Sequence, residues 1–368
     1  MKKSGWRYSR YALGILAVVF ALAAIHWLGS SGLLQPGAVE AKITPDTAPF
    51  DPAPAVLDLT HPGVQAAMAA QNRHNPHLLA LPDVVGTATG VDEAGKPAIK
   101  VFTKRAVPPG LIPESLDGIP VAVEVTGEIF ALAKPSAAVK IDPTQRFSRP
   151  VPIGVSTGNE GECSAGTIGA RVKKGSNVYA LSNNHVYALE NEAPLGSRVL
   201  QPGRYDTNCS LNPDNVIGAL AAFVRIDFSG TASNVVDAAI ALSSTANLGN
   251  ATPANGYVKP KSATVAAVIY QAVQKYGRTT SLTKGMVSGI NGTINVTYSS
   301  GTARFVGQIV VTSLRAFIKP GDSGSLLVTD PGRNPVGLLF AGDSSGRYAI
   351  ANPIGPVLDR FQVTIDGD

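Results

Sequence analysis

Residues 319–328 read KPGDSGSLLV. A serine stands between two glycines, after a proline turn and before an apolar, strand-like run. Glycines at 321 and 324 allow close backbone approach, so the N–H groups of Gly321 and Ser323 can be aimed at one point. Such a serine suits nucleophilic acyl transfer if a base, an orienting carboxylate and oxyanion donors accompany it. A second Gly-Asp-Ser occurs in AGDSSGRY, residues 341–348. It lies between the runs VGLLFA and YAI and reads as a hairpin tip, where Asp, Ser and Gly are ordinary turn residues. Ser323 is therefore the nucleophile candidate.

The base is found by elimination. The chain holds five histidines, His26, His61, His74, His77 and His185. Only His185, in ALSNNHVYA, shares the β-rich region with Ser323. For the carboxylate, Asp237 sits in NVVDAAIAL among apolar residues, and Asp227 lies ten residues earlier in RIDFSG. A carboxylate inside an apolar run needs a donor, and an imidazole N–H is one. Asp237 is preferred over Asp227 for that reason, although a strand-end aspartate that merely caps a turn fits the same position.

From about residue 151 onward, short runs such as TIGARV, NVYALS, VVDAAIAL, TINVTY, FVGQIVVTS and PVGLLFA recur between Gly, Asn, Asp, Pro and Ser. With 38 Gly and 27 Pro against few aromatics, this spells short strands and turns, hence a mainly β domain over 151–368. PIGPVLDRF (353–361) is the one helical candidate there. Upstream, PGVQAAMAAQN (62–72) predicts a helix. VVGTATGVD and AIKVFTKR form a hairpin around DEAGKP, PESLDGI (113–119) makes a helical turn, and PVAVEVTGEIFAL (120–132) supplies a third strand. These make a small α+β domain over 61–135, set off by Pro/Ala-rich linkers at 31–60 and 136–150.

The order His185, Asp237, Ser323 is that of the chymotrypsin-like serine proteases, not of subtilisins or α/β-hydrolases. ALSNNHV, DAAIAL and PGDSGS each resemble the corresponding family motif. A closer resemblance is to bacterial trypsin-like proteins akin to the plant narrow-leaf protease group, carried by GTIGARV, YALSNNHV, LQPG, GRTTSLTKG and GDSGSLL in that order. The resemblance covers about 150–360 and, more weakly, 84–132. It implies two antiparallel β-barrels with the triad in the cleft between them. It also implies a serine endopeptidase working through an acyl-enzyme, with Gly321 and Ser323 N–H as the oxyanion hole. By the family's spacing, Phe317 stands at the base of the primary pocket with Phe340–Gly342 (Phe340 and Gly342 its ends) opposite. No acid stands there, so an apolar or small P1 residue is expected. Ser325-Leu326 and Asn183-Asn184 depart from the digestive members, whose substrate habits do not carry over. Two other readings remain open in the sequence: a non-catalytic scaffold, and an esterase with the same triad.

Net charge is +5, of which Lys2, Lys3, Arg7 and Arg10 supply four, leaving the rest of the chain near neutral. That excludes an electrostatic footprint for nucleic acid. The four charges precede an apolar run at 11–28, YALGILAVVFALAAIHWL, long enough to span a membrane. Residues 1–30 therefore read as an anchor helix, with later residues on the non-cytoplasmic side. A cleaved signal and a secreted protein are the alternative. Cys163 and Cys209, both in loops, are expected to form one disulfide. No cofactor is expected. His61, His74 and His77 are spaced too loosely for a metal and read as surface histidines. The expected partner is a protein or peptide substrate, with self-association left open.

Overall fold

A computed structural model describes residues 57–131 and 143–368. The anchor at 11–28, most of the 31–60 linker and residues 136–142 of the second linker lie outside these residues. Among the described residues no helix is long and apolar enough to cross a membrane.

The body is mainly β, in two sheets. The first contains β6 (Ser156–Asn159), β7 (Gly166–Thr167), β8 (Ala170–Lys174), β9 (Asn177–Ser182), β10 (Arg198–Leu200), β11 (Val216–Phe223), β12 (Ala239–Ser243) and β19 (Thr364–Ile365). These strands run in the order β19-β8-β9-β12-β11-β10-β6-β7. Helix α2 (Asn184–Tyr187) follows β9 directly. The second sheet contains β13 (Ala272–Gly277), β14 (Ser281–Tyr298), β15 (Gly301–Thr312), β16 (Leu326–Thr329), β17 (Pro335–Asp343) and β18 (Tyr348–Pro353). Their order is β13-β16-β17-β18-β15-β14, and pairing of β13 with β14 closes the six into a ring. The eight-strand path of the first sheet has no such closing pair among the described residues, so only one of the two expected barrels closes through its strand pairing.

Each sheet has its own apolar interior. Ile153, Ile168, Tyr187, Val199 and Ile217 fill the first. Val273, Val311, Phe317, Leu327 and Leu339 fill the second. A third core, with Val172, Leu181, Ile240, Leu326 and Leu338, joins the sheets. Helix α3 (Ile354–Phe361) lies where its sequence predicts and closes that core with Ile354, Val357, Leu358 and Phe361, one helical face.

The N-terminal layer has α1 (Pro62–Leu78), β1 (Val84–Val91), β2 (Pro97–Thr103), β3 (Ser115–Leu116), β4 (Ile119–Val125) and β5 (Ile129–Ala131). Helix α1 outruns the expected 62–72. Leu78 is buried like Val64, Ala67 and Gln71, and Pro76 falls in the last turn. Residues 113–119 are no helical turn. Ser115 and Leu116 pair with Pro120 and Ile119 across Asp117-Gly118, both at positive φ (52° and 76°). Asp-Gly is the sequence that such a two-residue hairpin favours. Strand β1 pairs with the outer half of β14, so this layer extends the second sheet as β14-β1-β2-β4-β3. Buried Gln71 fastens α1 to it, bonding Thr87 Oγ1 (3.0 Å), Thr89 Oγ1 (2.6 Å) and the Asn291 carbonyl (3.2 Å).

Candidate active site

Strand β9 ends at Ser182, and the chain turns at Asn183-Asn184 into α2, which carries His185. Asn183 Nδ2 donates to the Asp237 carbonyl (2.8 Å) and Asn184 Nδ2 to the Val224 carbonyl (2.7 Å). The two asparagines thus tie the histidine's turn to the approach to β12. Asp237 lies two residues before β12, wholly buried. Its Oδ2 is 2.6 Å from His185 Nδ1, and the His185 N–H donates to Oδ1 (3.3 Å). Asp227 is instead exposed and accepts from the Ser229 N–H (2.8 Å), a local turn that holds its carboxyl below the usual range.

The second sheet supplies two more groups. Tyr298, at the end of β14, donates its hydroxyl to Asp237 Oδ2 (2.9 Å) and meets the His185 ring edge-on, 5.8 Å between centroids. Asn352 Oδ1 accepts from the Asp237 N–H (2.6 Å). Burial, then the charge and bond of Asp237, push the Tyr298 phenol far above its ordinary range. It is a proton donor at any ordinary pH.

Ser323 is wholly buried in the turn before β16. Gly321 and Gly324 have φ of 98° and 92°, where an L side chain is strained. A Cβ on Gly324 would fall 2.2 Å from Ser182 Oγ and 2.3 Å from the Thr167 carbonyl, so only glycine lets this turn reach β7 and β9. Gly166 does the same beside Val186, since its Cβ would meet Val186 Cγ2 (2.5 Å) and the Ser323 carbonyl (3.1 Å). The Gly-Asp-Ser turn is thereby pressed against the histidine's segment. Ser323 Oγ lies 3.4 Å from the Phe340 carbonyl, and His185 Nε2 has no hydrogen-bond partner among the described residues.

Between the glycine and the serine, Asp322 is a structural anchor. Its carboxylate accepts from the N–H of Thr279 (2.8 Å), Thr280 (3.1 Å) and Lys319 (2.9 Å) and from Thr280 Oγ1 (2.7 Å). Lys275 Nζ stands 3.6 Å away, and neither side chain of the pair is exposed. Burial holds the Lys275 ammonium below its ordinary pKa, with the Asp322 charge opposing.

Phe317 and Phe340 are wholly buried in two different cores, Phe340 against Phe305 with ring centroids 4.8 Å apart. Gly342 is backbone to a pairing of β17 with both β18 and β5. The second Gly-Asp-Ser is a hairpin tip, its Asp343 accepting from the N–H of Ser345 (3.1 Å) and Tyr348 (2.9 Å). Cys163 and Cys209 form a disulfide with Cα atoms 5.0 Å apart. His61 caps α1, accepting from the Gly63 N–H (3.1 Å), and His74 bonds Asp117 (3.0 Å).

No family model matches the chain. Streptogrisin-A of Streptomyces griseus is 32% identical over 102 residues, 27% of this chain and 32% of the relative. The match spans about a third of that relative's own length. Among solved structures, a glutamic acid specific serine protease overlaps 58% of this chain and 100% of its own at 21% identity, with a TM-score of 0.43. Thermobifida fusca protease A overlaps 59% and 100% at 21% identity (TM-score 0.42). Cellulomonas bogoriensis chymotrypsin overlaps 59% and 99% at 22% identity (TM-score 0.41).

Proposed function

We propose that this chain, a relative of the chymotrypsin/trypsin-like serine proteases, is a serine endopeptidase whose triad is His185, Asp237 and Ser323. The observation that carries this is the fully buried His185–Asp237 pair, 2.6 Å apart, with an imidazole Nε2 that has no partner among the described residues, on a segment packed against a glycine-shaped serine turn. Asp237 fixes the tautomer that leaves Nε2 free to accept a proton.

Rotation about the Ser323 χ1 turns Oγ from the Phe340 carbonyl towards His185 Nε2. Oγ then attacks the scissile carbonyl as its proton passes to Nε2. The Gly321 and Ser323 N–H groups, neither bonded to another described residue, face the oxyanion. Collapse expels the amine, which takes the proton from Nε2, and leaves the acyl-enzyme. Water, deprotonated at Nε2, then releases the acid. The disulfide favours an oxidising, non-cytoplasmic setting.

The test is labelling by a serine-reactive fluorophosphonate mapped by mass spectrometry. An adduct on Ser323 that disappears in His185→Ala supports the reading. An adduct on Ser344 or Ser345 instead, or one indifferent to His185, overturns it. Turnover of matched peptide and ester substrates separates peptidase from esterase, and Ser323→Ala removes on the order of 10⁶ of kcat.

A further inference from the structure

The direction of one peptide plane, Pro320–Gly321, decides whether the Gly321 N–H can face an oxyanion. The Pro320 carbonyl accepts from Thr279 Oγ1 (2.6 Å), on the turn that follows β13. A peptide group is planar and trans, so its C=O and N–H point opposite ways. Held at that carbonyl, the plane aims the Gly321 N–H away from Thr279, and no described backbone carbonyl accepts it. The next plane is pinned as well. Its carbonyl, on Gly321, accepts from Thr167 Oγ1 of β7 (2.8 Å), and its N–H, on Asp322, donates to the Lys319 carbonyl (2.9 Å).

Nothing in Gly321 itself keeps the first plane this way up. At φ 98° the glycine sits in the half of φ space that L residues avoid. Turning the 320–321 plane over with its neighbours fixed changes that φ by about 180°, to the negative side where backbone ordinarily sits. The turned plane would present the Pro320 carbonyl oxygen where an oxyanion must be received. The observed direction therefore depends on what holds Thr279.

Arg278 does so, with both its side chain and its backbone. Its Nη1 donates to Thr279 Oγ1 (3.0 Å), which leaves that hydroxyl's own proton for Pro320, and its N–H donates to Thr167 Oγ1 (3.0 Å). The two threonines that grip the turn thus each receive a bond from one arginine. The guanidinium is locked in turn to Asp206, through Nε to Oδ2 (2.9 Å) and Nη2 to Oδ1, and both side chains are buried. Asp206 also accepts from Ser156 Oγ of β6 (2.6 Å), and the guanidinium lies 5.4 Å from the Tyr205 ring centroid. A Cβ on Gly321 would fall 2.6 Å from Thr279 Oγ1 and 2.8 Å from Arg278 Nη1, so the turn rests directly on these two residues.

We propose that Asp206, Arg278 and Thr279 are positioning residues for the oxyanion site: the buried ion pair orients Thr279, and the Thr279 hydroxyl sets the direction of the Gly321 N–H. This rests on the serine-peptidase reading above.

The test uses the full chain carrying Thr279→Val, which keeps the shape and deletes the hydroxyl, or Thr279→Ser, which keeps the hydroxyl. In steady-state peptide hydrolysis Thr279→Val is expected to lose on the order of 10²-fold in kcat with KM little changed, the split that marks a donor used only in the transition state. Thr279→Ser should stay close to wild type. Asp206→Asn, which keeps the shape and removes the charge, should lose kcat in the same direction and by less. In a crystal structure of Thr279→Val the Pro320 carbonyl should be turned away from residue 279. Wild-type kcat in Thr279→Val, a Thr279→Ser as slow as Thr279→Val, or a Pro320 carbonyl that keeps its direction overturns the proposal. Wild-type kcat in Asp206→Asn overturns the part given to the ion pair, and if that variant loses its cooperative unfolding transition Arg278→Lys is read in its place. Absence of hydrolysis and of fluorophosphonate labelling in every form, wild type included, defeats the peptidase reading itself, while the crystal structure still reports whether Thr279 holds the plane.

Discussion

Tyr298 and Asp237 meet across the two sheets. The phenol donates to Oδ2 at 2.9 Å, the oxygen that also holds His185 Nδ1 at 2.6 Å. The carboxylate is wholly buried, and the Asn352 amide locks its own backbone N–H. A buried carboxylate kept ionised needs such donors, since each missing one costs more than the bond is worth in water. The pair also couples the halves of the molecule, because Asp237 approaches β12 in the first sheet while Tyr298 ends β14 in the second.

Tyr298→Phe keeps the ring and deletes the donor. Loss of one bond to a charged group, about 1.5–3 kcal/mol, should lower kcat at least tenfold with KM little changed. The pH dependence has a definite sign. The folded phenol's pKa is raised above the ordinary 10.0. Its contribution to stability is therefore full below pH 10 and declines as pH climbs from there towards the folded value. Thermal melts of wild type and Tyr298→Phe should differ by a constant gap from neutrality to about pH 10 and converge above it. A gap that instead closes below pH 9 contradicts the assignment.

Lys275 and Asp322 make a second test. Replacing the buried ammonium in Lys275→Met leaves a carboxylate with hydrogen bonds but no countercharge. Breaking such a pair by removing one partner costs about 3–5 kcal/mol, much of which returns when the other charge is removed too. Urea unfolding of Lys275→Met, Asp322→Asn and the double variant should show the double variant losing clearly less than the sum of the singles. Strict additivity would mean that the pair is not coupled. Slower Ser323 labelling in Lys275→Met, measured where it is still folded, would place the ammonium among the groups that position the turn.

These two relationships mark where the sequence stopped being readable. His185, Asp237 and Ser323 could be picked out because each is scarce or sits in a short motif of turn glycines and apolar flanks. Tyr298 and Asn352 touch Asp237 from 61 and 115 residues away, and nothing local distinguishes them from other strand residues. Lys275 is legible only in hindsight, as a lone cation within a strand that is buried from Val273 to Gly277. The strand content and α3 followed from period and punctuation. Residues 120–132 read as one strand, but Gly127 at positive φ breaks them into β4, parallel to β2, and β5, antiparallel to β17. Direction of pairing is a property of the whole topology and leaves no trace in a run of β-branched residues. The Asp117-Gly118 hairpin was visible in principle, since that dipeptide is its signature.

The disulfide predicts stability without chemistry. Cys163 and Cys209 are 46 residues apart, a loop for which the chain-entropy relation gives about 4 kcal/mol, within a usual range of 2–5. The loops it joins are also held by Arg204, which donates to the carbonyls of Glu160 (2.9 Å) and Cys209 (2.7 Å). The double Cys→Ser variant should therefore keep its fold and its Ser323 labelling rate at 25 °C while its melting temperature falls by several degrees. Loss of labelling at a temperature where the variant is still folded would show that the disulfide shapes the site directly.

The two aspartates that the sequence offered as partners for His185 separate most sharply in kinetics. Asp237 is wholly buried and bonded to the imidazole, whereas Asp227 is exposed and spends its carboxylate on its own turn. Asp237→Asn keeps the size of the side chain but supplies an amide where Nδ1 needs an acceptor. The imidazole can then satisfy that contact only by placing its proton on Nε2, the atom that receives one from Ser323 in the proposed triad. The loss in kcat should be on the order of 10⁴ near neutral pH. Asp227→Asn removes a surface charge from a turn whose hydrogen bonds an amide oxygen can still accept, so kcat should stay within about a factor of two. Both are read from steady-state peptide hydrolysis. Intact activity in Asp237→Asn together with its collapse in Asp227→Asn would reverse the assignment.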